Sequence, residues 1–546
     1  MAVMTFSDDE KQDGIHRDGS FLQHEGLLYN GNYGKDLLNA FIQLEGEVVG
    51  TPFAANDTTR DAMSTFIRGN EWMIFTDEET GVEHWDMNVI GRFVAFPVSD
   101  LQANADINFN VSKLGNAVRD FAGSHSLSDT IKRLGSNGTS KLTGNKGFWA
   151  SDYMVHRRDS FMLTNKMLSV RSLNSESVND ANPLGYHLGQ GTLFAYVDGT
   201  EYRDIMGSWD WNLVPGTTVL LNRPEGEVAT VAQGGKRTFV GVVSDGNFGT
   251  SVEDYIDPLD GSIAYRKVWF FVDEGVIITT TAIETNATGS PPVISVLDNR
   301  AAVPNGRVYL DGKAMEVTET NGTLKARTLS YGGNGYLAYD APFELSLSLG
   351  KRTGNWSAIS TSTVGKTTED IFYAYTILQA RNFTYGVFPA MTERKLAEQA
   401  RGSTWKTIAG DGIDGLYGPN RLSLVFWPEA SNTSGSRSIT LDLRKLGWAD
   451  RGELVFTSDQ PAVYLFEAKH DCDNTFTLTI TLADPTQRLT QASFNLRLTD
   501  ARVADFDVAD GSMMVFKDTV ELEAELPRGG LAGSSVAKEV LVEWGF

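Results

Sequence analysis

A change in residue pattern near Gly135 constrains the fold of this chain more than any other feature of the sequence. Before it, apolar residues recur every three or four positions, which is the spacing of one helix face. The clearest such face belongs to a helix predicted over residues 34–49 and would comprise Leu37, Phe41, Leu44 and Val48. After it, Gly, Thr and Ser become frequent, and short alternating apolar runs follow one another as in antiparallel strands. Because no helical pattern separates these runs, we expect sandwiched antiparallel sheets rather than a parallel sheet.

Single elements can be predicted on both sides of this change. Further helices are predicted over residues 57–75, 101–121 and 126–134, with Asp57 or Thr58 as the N-cap of the first of these. Residues 268–272 and 276–282 flank an Asp273-Glu274-Gly275 turn and predict a hairpin. Other strands are predicted over residues 422–427, 439–443 and 475–482.

The 546 residues are enough for two to four domains at about 150 residues each. A turn-rich stretch over residues 428–436, with Pro428, Asn432 and Gly435, predicts a boundary. We therefore expect a helical region over residues 1–135, a large β region over 136–430 and a smaller β region over 431–546. The helical region is too short for a complete large helical domain. If upstream helices are missing, Leu37 and Phe41 should be partly exposed.

Composition and motifs exclude several classes of protein. A formal net charge of −23 disfavours general attraction to nucleic acid. No run of about 18 apolar residues predicts a membrane helix, and the first nine residues lack the features of a signal peptide. The histidines are scattered without metal-ligand spacing, so no metal is expected. The phosphate-binding, dinucleotide-binding and nucleophile-elbow motifs are not found.

A loop over residues 18–34, just before the first helix, gathers polar and aromatic side chains around turn-forming glycines. Loops of this kind often hold a functional site, although the same residue types also serve solvation and packing. Its candidate residues are His24, Tyr29, Asn30, Asn32 and Tyr33.

Four residues outside this loop are further candidates. Arg92 lies between Ile90 and Phe93, and a buried arginine requires an anionic ligand or a plain carboxylate partner. Glu176 stands in a polar run that reads equally as a solvated loop. Trp209 and Trp211 would face one side of a strand, either as a stacking platform for sugar rings or as core residues.

Several longer segments together resemble one known family. They are DGSFLQH with YNGNYG after it, EHWDMNVIGR, VRSLNSESVNDANPLGYHLGQG, EYRDIMGSWDWNLVPGTT, KVWFFVDEGVIITTTAI and the short GNWS. These segments are similar to those of polysaccharide lyase family 8, which comprises hyaluronate, chondroitin AC and xanthan lyases. The resemblance covers nearly all of the chain. It implies a partial α/α toroid, a large antiparallel β supersandwich and a small C-terminal β-sandwich, which together make an α+β multidomain protein.

The resemblance also implies roles for individual residues. Tyr33 matches the catalytic tyrosine, His24 the catalytic histidine, Arg92 the arginine beside the tyrosine and Glu176 the supporting glutamate of the β domain. Asn30, Asn32, Trp209 and Trp211 are predicted to contact substrate. The family's essential asparagine lies in a Trp-rich segment several tens of residues before the histidine, and only 23 residues precede His24. A second arginine that is frequent in the family is replaced here by Phe96.

The implied activity is β-elimination on a uronic-acid polysaccharide, first of the hyaluronan or chondroitin type. Xanthan cleavage and non-catalytic carbohydrate binding are the alternatives, and a glycoside hydrolase is disfavoured because no convincing pair of carboxylates is found. The resemblance implies no cofactor, an acidic polysaccharide as partner and neither nucleic acid nor membrane. It further implies an extracellular, monomeric protein.

Overall fold

The computed structural model describes residues 4–121, 127–136, 141–221, 232–286, 289, 291–317, 323–410, 412–428, 436–471, 474–505 and 515–545. Within these residues, helices gather near the amino-terminal end and strands make up most of the remaining chain, as the residue pattern predicts. The α-helices are α1 Lys35–Val48, α2 Asp57–Trp72, α3 Val111–Ala117, α4 Ser128–Leu134, α5 Glu393–Gly402 and α6 Leu443–Leu446. No α-helix among the described residues is long and apolar enough to span a membrane.

Helix α1 is confirmed, but of its predicted buried face only Phe41 is fully buried. Leu38, Phe41 and Ile42 point into the core, whereas Leu44 is 49% exposed. Phe41 is 1% exposed and Leu37 is partly buried, so of the two residues expected to be partly exposed if upstream helices are missing, only Leu37 is. The buried stripe lies to one side of the predicted one, because α1 packs against α3 and the loop before it.

The other predicted helices need correction at their ends. Asn56, not Asp57 or Thr58, caps α2 by accepting a hydrogen bond from the Thr59 N–H, and α2 stops at Trp72. Of the helix predicted over residues 101–121, only α3 forms, since Leu101 and Asn108 adopt left-handed backbone conformations that interrupt a helix. Ser126, the predicted start of α4, lies outside the described residues.

Near the amino-terminal end, two small sheets accompany the first helices. The first has the strands Gly14–Ile15, Phe21–Gln23 and Leu27–Leu28, and the second has Ile74–Thr76 and Glu83–Trp85. Next along the chain is a four-stranded meander: Gly144–Phe148, Tyr153–Arg158, Phe161–Lys166 and Thr192–Tyr196.

The central region is built from two larger sheets that share one apolar core with the meander. In spatial order, the nine-stranded sheet has Val240–Ser244, Gly249–Ile256, Ile263–Val272, Gly275–Thr285, Phe383–Pro389, Asn334–Ala338, Thr328–Tyr331, Val308–Leu310 and Lys313–Met315. The five-stranded sheet has Thr218–Leu220, Val293–Ala301, Lys366–Ile377, Phe343–Asn355 and Leu324–Ala326. The predicted hairpin is confirmed, with Val272 paired to Gly275.

The last region is a second sandwich with its own core. Its eight-stranded sheet has Lys406–Gly410, Ile413–Gly418, Arg421–Phe426, Ala462–His470, Thr475–Ala483, Val536–Trp544, Ala501–Asp505 and Val515–Lys517. Its four-stranded sheet has Arg437–Asp442, Glu453–Ser458, Gln491–Leu498 and Thr519–Glu525. The strands predicted over residues 422–427, 439–443 and 475–482 are thus confirmed to within two residues at each end.

The boundary predicted at residue 430 separates strands that share this eight-stranded sheet. Arg421–Phe426 pairs along its whole length with Ala462–His470, so the strands from Lys406 onward belong to the last sandwich. The predicted linker residues Asn432 and Gly435 lie outside the described residues. We infer that the division falls directly after α5, near Ser403.

The helical region docks on the meander through a shared apolar core that includes Trp85, Ile90 and Tyr153. Asp86 is buried in this contact and accepts hydrogen bonds from Tyr153 and Tyr196 of the meander. These bonds hold the segment that leads to Arg92 against the four-stranded meander. The helical region and the β region are therefore joined by buried hydrogen bonds as well as by apolar packing.

Candidate active site

The loop that carries His24 and Tyr33 reverses direction sharply between two short strands. His24, Glu25 and Gly26 all have positive φ, at 54°, 66° and 109°. A Cβ on Gly26 would lie 2.8 Å from the Arg171 carbonyl oxygen, so the turn needs glycine to approach the β region. The strand Leu27–Leu28 then leads into a π-helical turn, Asn30–Gly34, which holds Tyr33 at the entrance to α1.

Arg92 enters the site from a 3-10 turn, Gly91–Ala95. Its side chain is 8% exposed and therefore needs compensation for its charge. Gly91 has φ 53°, and a Cβ there would lie 2.1 Å from the Tyr29 ring. Glycine at this position lets the Arg92 backbone approach the buried tyrosine.

Glu176 comes from the β region, on a segment between Phe161–Lys166 and Thr192–Tyr196. The Asn182 amide donates hydrogen bonds of 2.8 Å to the Ser175 hydroxyl and to the Glu176 carbonyl, which fixes the segment. A buried ion pair between Arg171 and Asp152, with 2.8 Å between nitrogen and oxygen, anchors its beginning to the meander. Glu176 is thus presented by a rigid part of the fold, not by the solvated loop that its polar neighbours suggest.

One carboxylate joins these elements. Glu176 Oε1 accepts hydrogen bonds from the Tyr29 hydroxyl at 2.5 Å and from Arg92 Nη1, while Oε2 lies 2.6 Å from His24 Nδ1. Arg92 Nη2 donates to the Tyr33 hydroxyl at 3.0 Å. The His24 and Tyr33 rings are 5.0 Å apart. The structure therefore brings together His24, Tyr33, Arg92 and Glu176, as the resemblance implies.

The protonation states in this cluster follow from its contacts. Burial and then the negative charge of Glu176 raise the pKa of Tyr29 far above its usual value, so Tyr29 stays a hydrogen-bond donor. Burial opposes the charge of Arg92, but hydrogen bonds to Tyr33 and Glu176 outweigh it and raise the pKa of Arg92. Because a carboxylate only accepts, His24 Nδ1 must carry the proton that faces Glu176. The second ring nitrogen, Nε2, is then the one available to a substrate.

The two tyrosines consequently differ in what they can do. Tyr29 is 0% exposed and is enclosed by protein, whereas Tyr33 is partly exposed. The Arg92 bond to the Tyr33 oxygen is charge-assisted and strengthens if that oxygen becomes negative. The arrangement can therefore supply a proton-transfer group at Tyr33 and an imidazole nitrogen at His24 on the same side of the cluster.

Three of the predicted substrate contacts are wrong. Asn30 is 0% exposed, and its amide is used internally, accepting from the Phe21 N–H and donating to Gly19 and Asn70. Trp209 and Trp211 are 6% and 3% exposed, and their indole N–H groups donate to backbone carbonyls. These tryptophans belong to the core beneath the helical region and present no ring to a ligand. Asn32, next to Tyr33, remains a predicted contact.

Tyr29 lies in the candidate loop, but the sequence predicts no specific role for it in the site. Its position five residues after His24 and four before Tyr33 is the only signal the sequence offers. Helical spacing from Tyr33 would place the two rings side by side, and the structure has them 5.0 Å apart at 90°. Phe96, at the place of the second arginine, stacks on Phe93 and is 8% exposed. Among the described residues, no three His, Cys, Asp or Glu side chains are grouped to hold a metal ion.

Comparison with known proteins places the chain in a family. Residues 143–400 match the model of the polysaccharide lyase family 8 super-sandwich domain, and residues 2–75 match that of the family's N-terminal α-helical domain. Together the matches span more than half of the chain. The chain belongs to polysaccharide lyase family 8. The predicted layout of a helical segment, a super-sandwich and a final sandwich is thereby confirmed.

Relatives of this family-8 chain include a chondroitinase and a hyaluronate lyase. It is 27% identical over 416 residues to chondroitinase-AC of Pedobacter heparinus, covering 73% of this chain and 56% of the relative. It is 25% identical over 454 residues to a hyaluronate lyase of Thermasporomyces composti, covering 74% of this chain and 56% of the relative. The chain thus spans little more than half the length of these two relatives.

Solved structures support the same fold. A chondroitinase AC lyase described in complex with oligosaccharides superposes with a TM-score of 0.76 at 24% identity, covering 97% of this chain and 73% of that one. A Paenibacillus xanthan lyase gives a TM-score of 0.78 at 19% identity, covering 100% of this chain and 53% of that one. At these identities the likeness concerns the fold.

Proposed function

We propose that this family-8 chain cleaves a uronic-acid polysaccharide of the hyaluronan or chondroitin type by β-elimination. The proposal rests on the contact of Arg92 Nη2 with the Tyr33 hydroxyl at 3.0 Å. The same arginine bonds Glu176, which also contacts His24. The names of two relatives, chondroitinase-AC and hyaluronate lyase, support the choice of polymer.

In the proposed reaction, Tyr33 serves first as base and then as acid. As tyrosinate it takes the C5 proton of the uronate, the C5 electron pair forms the C4–C5 double bond, and the C4–O4 bond breaks. Tyr33, now protonated, gives that proton to the departing O4. One positioned group that serves both steps is consistent with general acid–base catalysis. The new chain end is a 4,5-unsaturated uronate.

Arg92 would act on the substrate only through Tyr33. Its charge is balanced by Glu176, and its two terminal nitrogens already bond Glu176 and Tyr33, so it is poorly placed to hold a substrate carboxylate itself. Its charge instead stabilises the tyrosinate through the bond to the Tyr33 oxygen. Glu176 in turn keeps this guanidinium in place.

His24 would face the uronate with Nε2. The Nδ1–H bond to Glu176 fixes the ring and its tautomer, in the way a carboxylate orients an imidazole in other active sites. Nε2 can then accept a hydrogen bond from the uronate at the C5 side of the sugar. Asn32, 8% exposed on the same turn as Tyr33, is the proposed polar contact to the polymer.

The test is a Tyr33→Phe variant assayed with hyaluronan, chondroitin and xanthan in turn. A conjugated unsaturated uronate absorbs ultraviolet light, which a hydrolase product does not. We expect the unaltered chain to produce this absorbance with hyaluronan or chondroitin, and Tyr33→Phe to lower kcat by about 100-fold or more. Tyr417→Phe, a partly buried tyrosine of the last sandwich, is the control and should keep full activity.

Three results would contradict the proposal. Unchanged activity in folded Tyr33→Phe would remove the tyrosine from the chemistry. Absorbance with xanthan alone would reassign the substrate. No absorbance from the folded, unaltered chain with any polymer would favour carbohydrate binding without catalysis.

We also propose that the chain acts outside the cell as a monomer with an acidic polysaccharide as its partner. The net charge of −23 is compatible with repulsion between copies. Light scattering of the purified chain tests the monomer directly, and a stable dimer at micromolar concentration would contradict it.

A further inference from the structure

We propose that Tyr29 is a positioning residue of the active site, which sets the orientation of Glu176 and through it the tautomer of His24. This inference rests on the proposed function. Tyr29 touches neither solvent nor a place where a polymer could lie, since it is 0% exposed. Its influence on the reaction would therefore pass entirely through its neighbours.

The Tyr29 hydroxyl is held from both sides. It donates its only proton to Glu176 Oε1 at 2.5 Å and accepts from the Arg92 backbone N–H at 3.0 Å and from Arg92 Nη1 at 3.4 Å. The acceptor side is occupied by a backbone group whose position is set by the turn Gly91–Ala95. The hydroxyl therefore has one favourable orientation, with its proton directed at the carboxylate.

This orientation determines which oxygen of Glu176 is left for His24. Oε1 receives both Tyr29 and Arg92 Nη1, so the carboxylate is fixed with Oε2 directed at His24 Nδ1, 2.6 Å away. With Nδ1 protonated, Nε2 keeps its lone pair for the substrate. Without the Tyr29 proton, the carboxylate would be free to turn about its terminal bond and share both oxygens with Arg92.

The ring of Tyr29 is packed as closely as its hydroxyl is bonded. It contacts the Tyr33 ring edge-to-face, with centroids 5.0 Å apart at 90°, and the His24 ring at 6.2 Å and 81°. Gly91 lies so close that a Cβ would fall 2.1 Å from the Tyr29 Cζ. Replacing Tyr29 by phenylalanine would keep these ring contacts and remove one oxygen, which isolates the positioning role.

The experiment measures kcat and KM of Tyr29→Phe on whichever polymer the unaltered chain cleaves. We expect kcat to fall about 10- to 100-fold, which corresponds to about 1.4 to 2.7 kcal/mol, with KM within about twofold of the unaltered value. In a Glu176→Gln background, the same substitution should have no further effect on kcat, because Tyr29 acts through that carboxylate. Additive losses of kcat would overturn the proposal.

A matched control separates positioning from general loss of stability. Tyr464 is 0% exposed, and its hydroxyl lies 2.8 Å from the Ser458 hydroxyl in the last sandwich. Tyr464→Phe removes the same atom from a comparable buried bond and should leave kcat unchanged. Equal losses of kcat in the two variants would show that Tyr29 matters only for stability.

The His24 tautomer gives a readout that does not depend on turnover. Nitrogen-15 NMR of the full chain, assigned with His24→Gln, should show a single Nδ1–H form in the unaltered protein and a mixed or Nε2–H form in Tyr29→Phe. Glu176→Asp, which draws the carboxylate away from Tyr29, Arg92 and His24, should have the same effect. An unchanged tautomer in Tyr29→Phe would refute the inference. If no polymer is cleaved, the proposed function fails, while this measurement still decides the role of Tyr29.

Discussion

The buried pair of Arg92 and Glu176 makes a quantitative prediction about charge in this site. The two side chains are 8% and 4% exposed, so solvent screens their interaction little. Removing one charge leaves the other buried without its partner, which typically costs about 3–5 kcal/mol of folding free energy. We therefore expect Arg92→Met and Glu176→Gln each to destabilise the chain by about that amount.

The double variant Arg92→Met, Glu176→Gln should lose far less unfolding free energy than the two single variants lose together. It contains no buried charge at the pair, and the glutamine oxygen can still accept from Tyr29, so the remaining cost is about 1–3 kcal/mol for imperfect hydrogen bonds. The two single losses should thus exceed the double loss by at least about 3 kcal/mol. Activity should not recover, because the Arg92 bond to the Tyr33 oxygen is lost.

Urea unfolding followed by tryptophan fluorescence gives the unfolding free energies, and the ultraviolet assay gives the rates. A double variant as unstable as the sum of the singles would refute the reasoning, since the charges would then be independent. Recovery of activity together with stability would refute the role of Arg92 in the chemistry.

Three further predictions concern groups around the site. Burial raises the pKa of Asp86 to about 6 from its usual 3.8, so folding favours its protonated form. This preference adds about 3 kcal/mol to the free energy of unfolding below pH ~4, and that contribution is lost as the pH rises through about 6. The unfolding free energy of the unaltered chain relative to Asp86→Asn should fall by that amount from pH ~4 to ~7, and a constant difference would contradict this. Gly91→Ala would place a Cβ against the Tyr29 ring, whereas Gly81 also has positive φ but open space around it. We therefore expect Gly91→Ala to lower the free energy of unfolding by about 1–3 kcal/mol more than Gly81→Ala does. Equal losses of unfolding free energy, measured by calorimetry, would contradict this. Trp209→Phe should lower Tm yet leave KM within about twofold, because the indole is core; a large rise in KM would restore the stacking role.

Much of the fold could be predicted because each region has a periodicity of its own. Helix α1 and the hairpin Ile263–Val272 with Gly275–Thr285 both follow from apolar spacing and a turn. The buried face of α1 could not be fixed, because a face shifted by one residue has almost the same apolar content, and only packing against α3 selects it. The sheet that joins Arg421–Phe426 to Ala462–His470 depends on long-range pairing, which local patterns do not encode.

The candidate site, like the fold, could be predicted from the sequence only in part. His24, Tyr33, Arg92 and Glu176 were predicted as one site from the family resemblance, and the structure brings them together, whereas their spacing alone did not select them. From residue type alone, a side chain that contacts a ligand cannot be told from one whose hydrogen bonds stay within the protein.

Asn30 and Trp209 show why. An asparagine and a tryptophan suit sugar recognition, yet both satisfy their hydrogen bonds with the protein's own backbone or side chains. Tyr29, although a candidate, received no specific role for the opposite reason. A buried tyrosine looks like core until its hydroxyl is seen to bond the carboxylate of a residue 147 positions away.

That separation has a consequence for how the protein is made. His24 and Glu176 are 152 residues apart, so at ribosomal rates of about 5–20 residues per second the carboxylate follows the imidazole by roughly 8 to 30 seconds. During that interval the nascent chain already contains Tyr33 and His24, but the Glu176 carboxylate that accepts the His24 hydrogen bond has not yet been synthesised. Turnover would begin only when the meander has folded and received the helical segment. If the proposed function holds, activity in a refolding or expression screen would therefore report completed docking of the two regions.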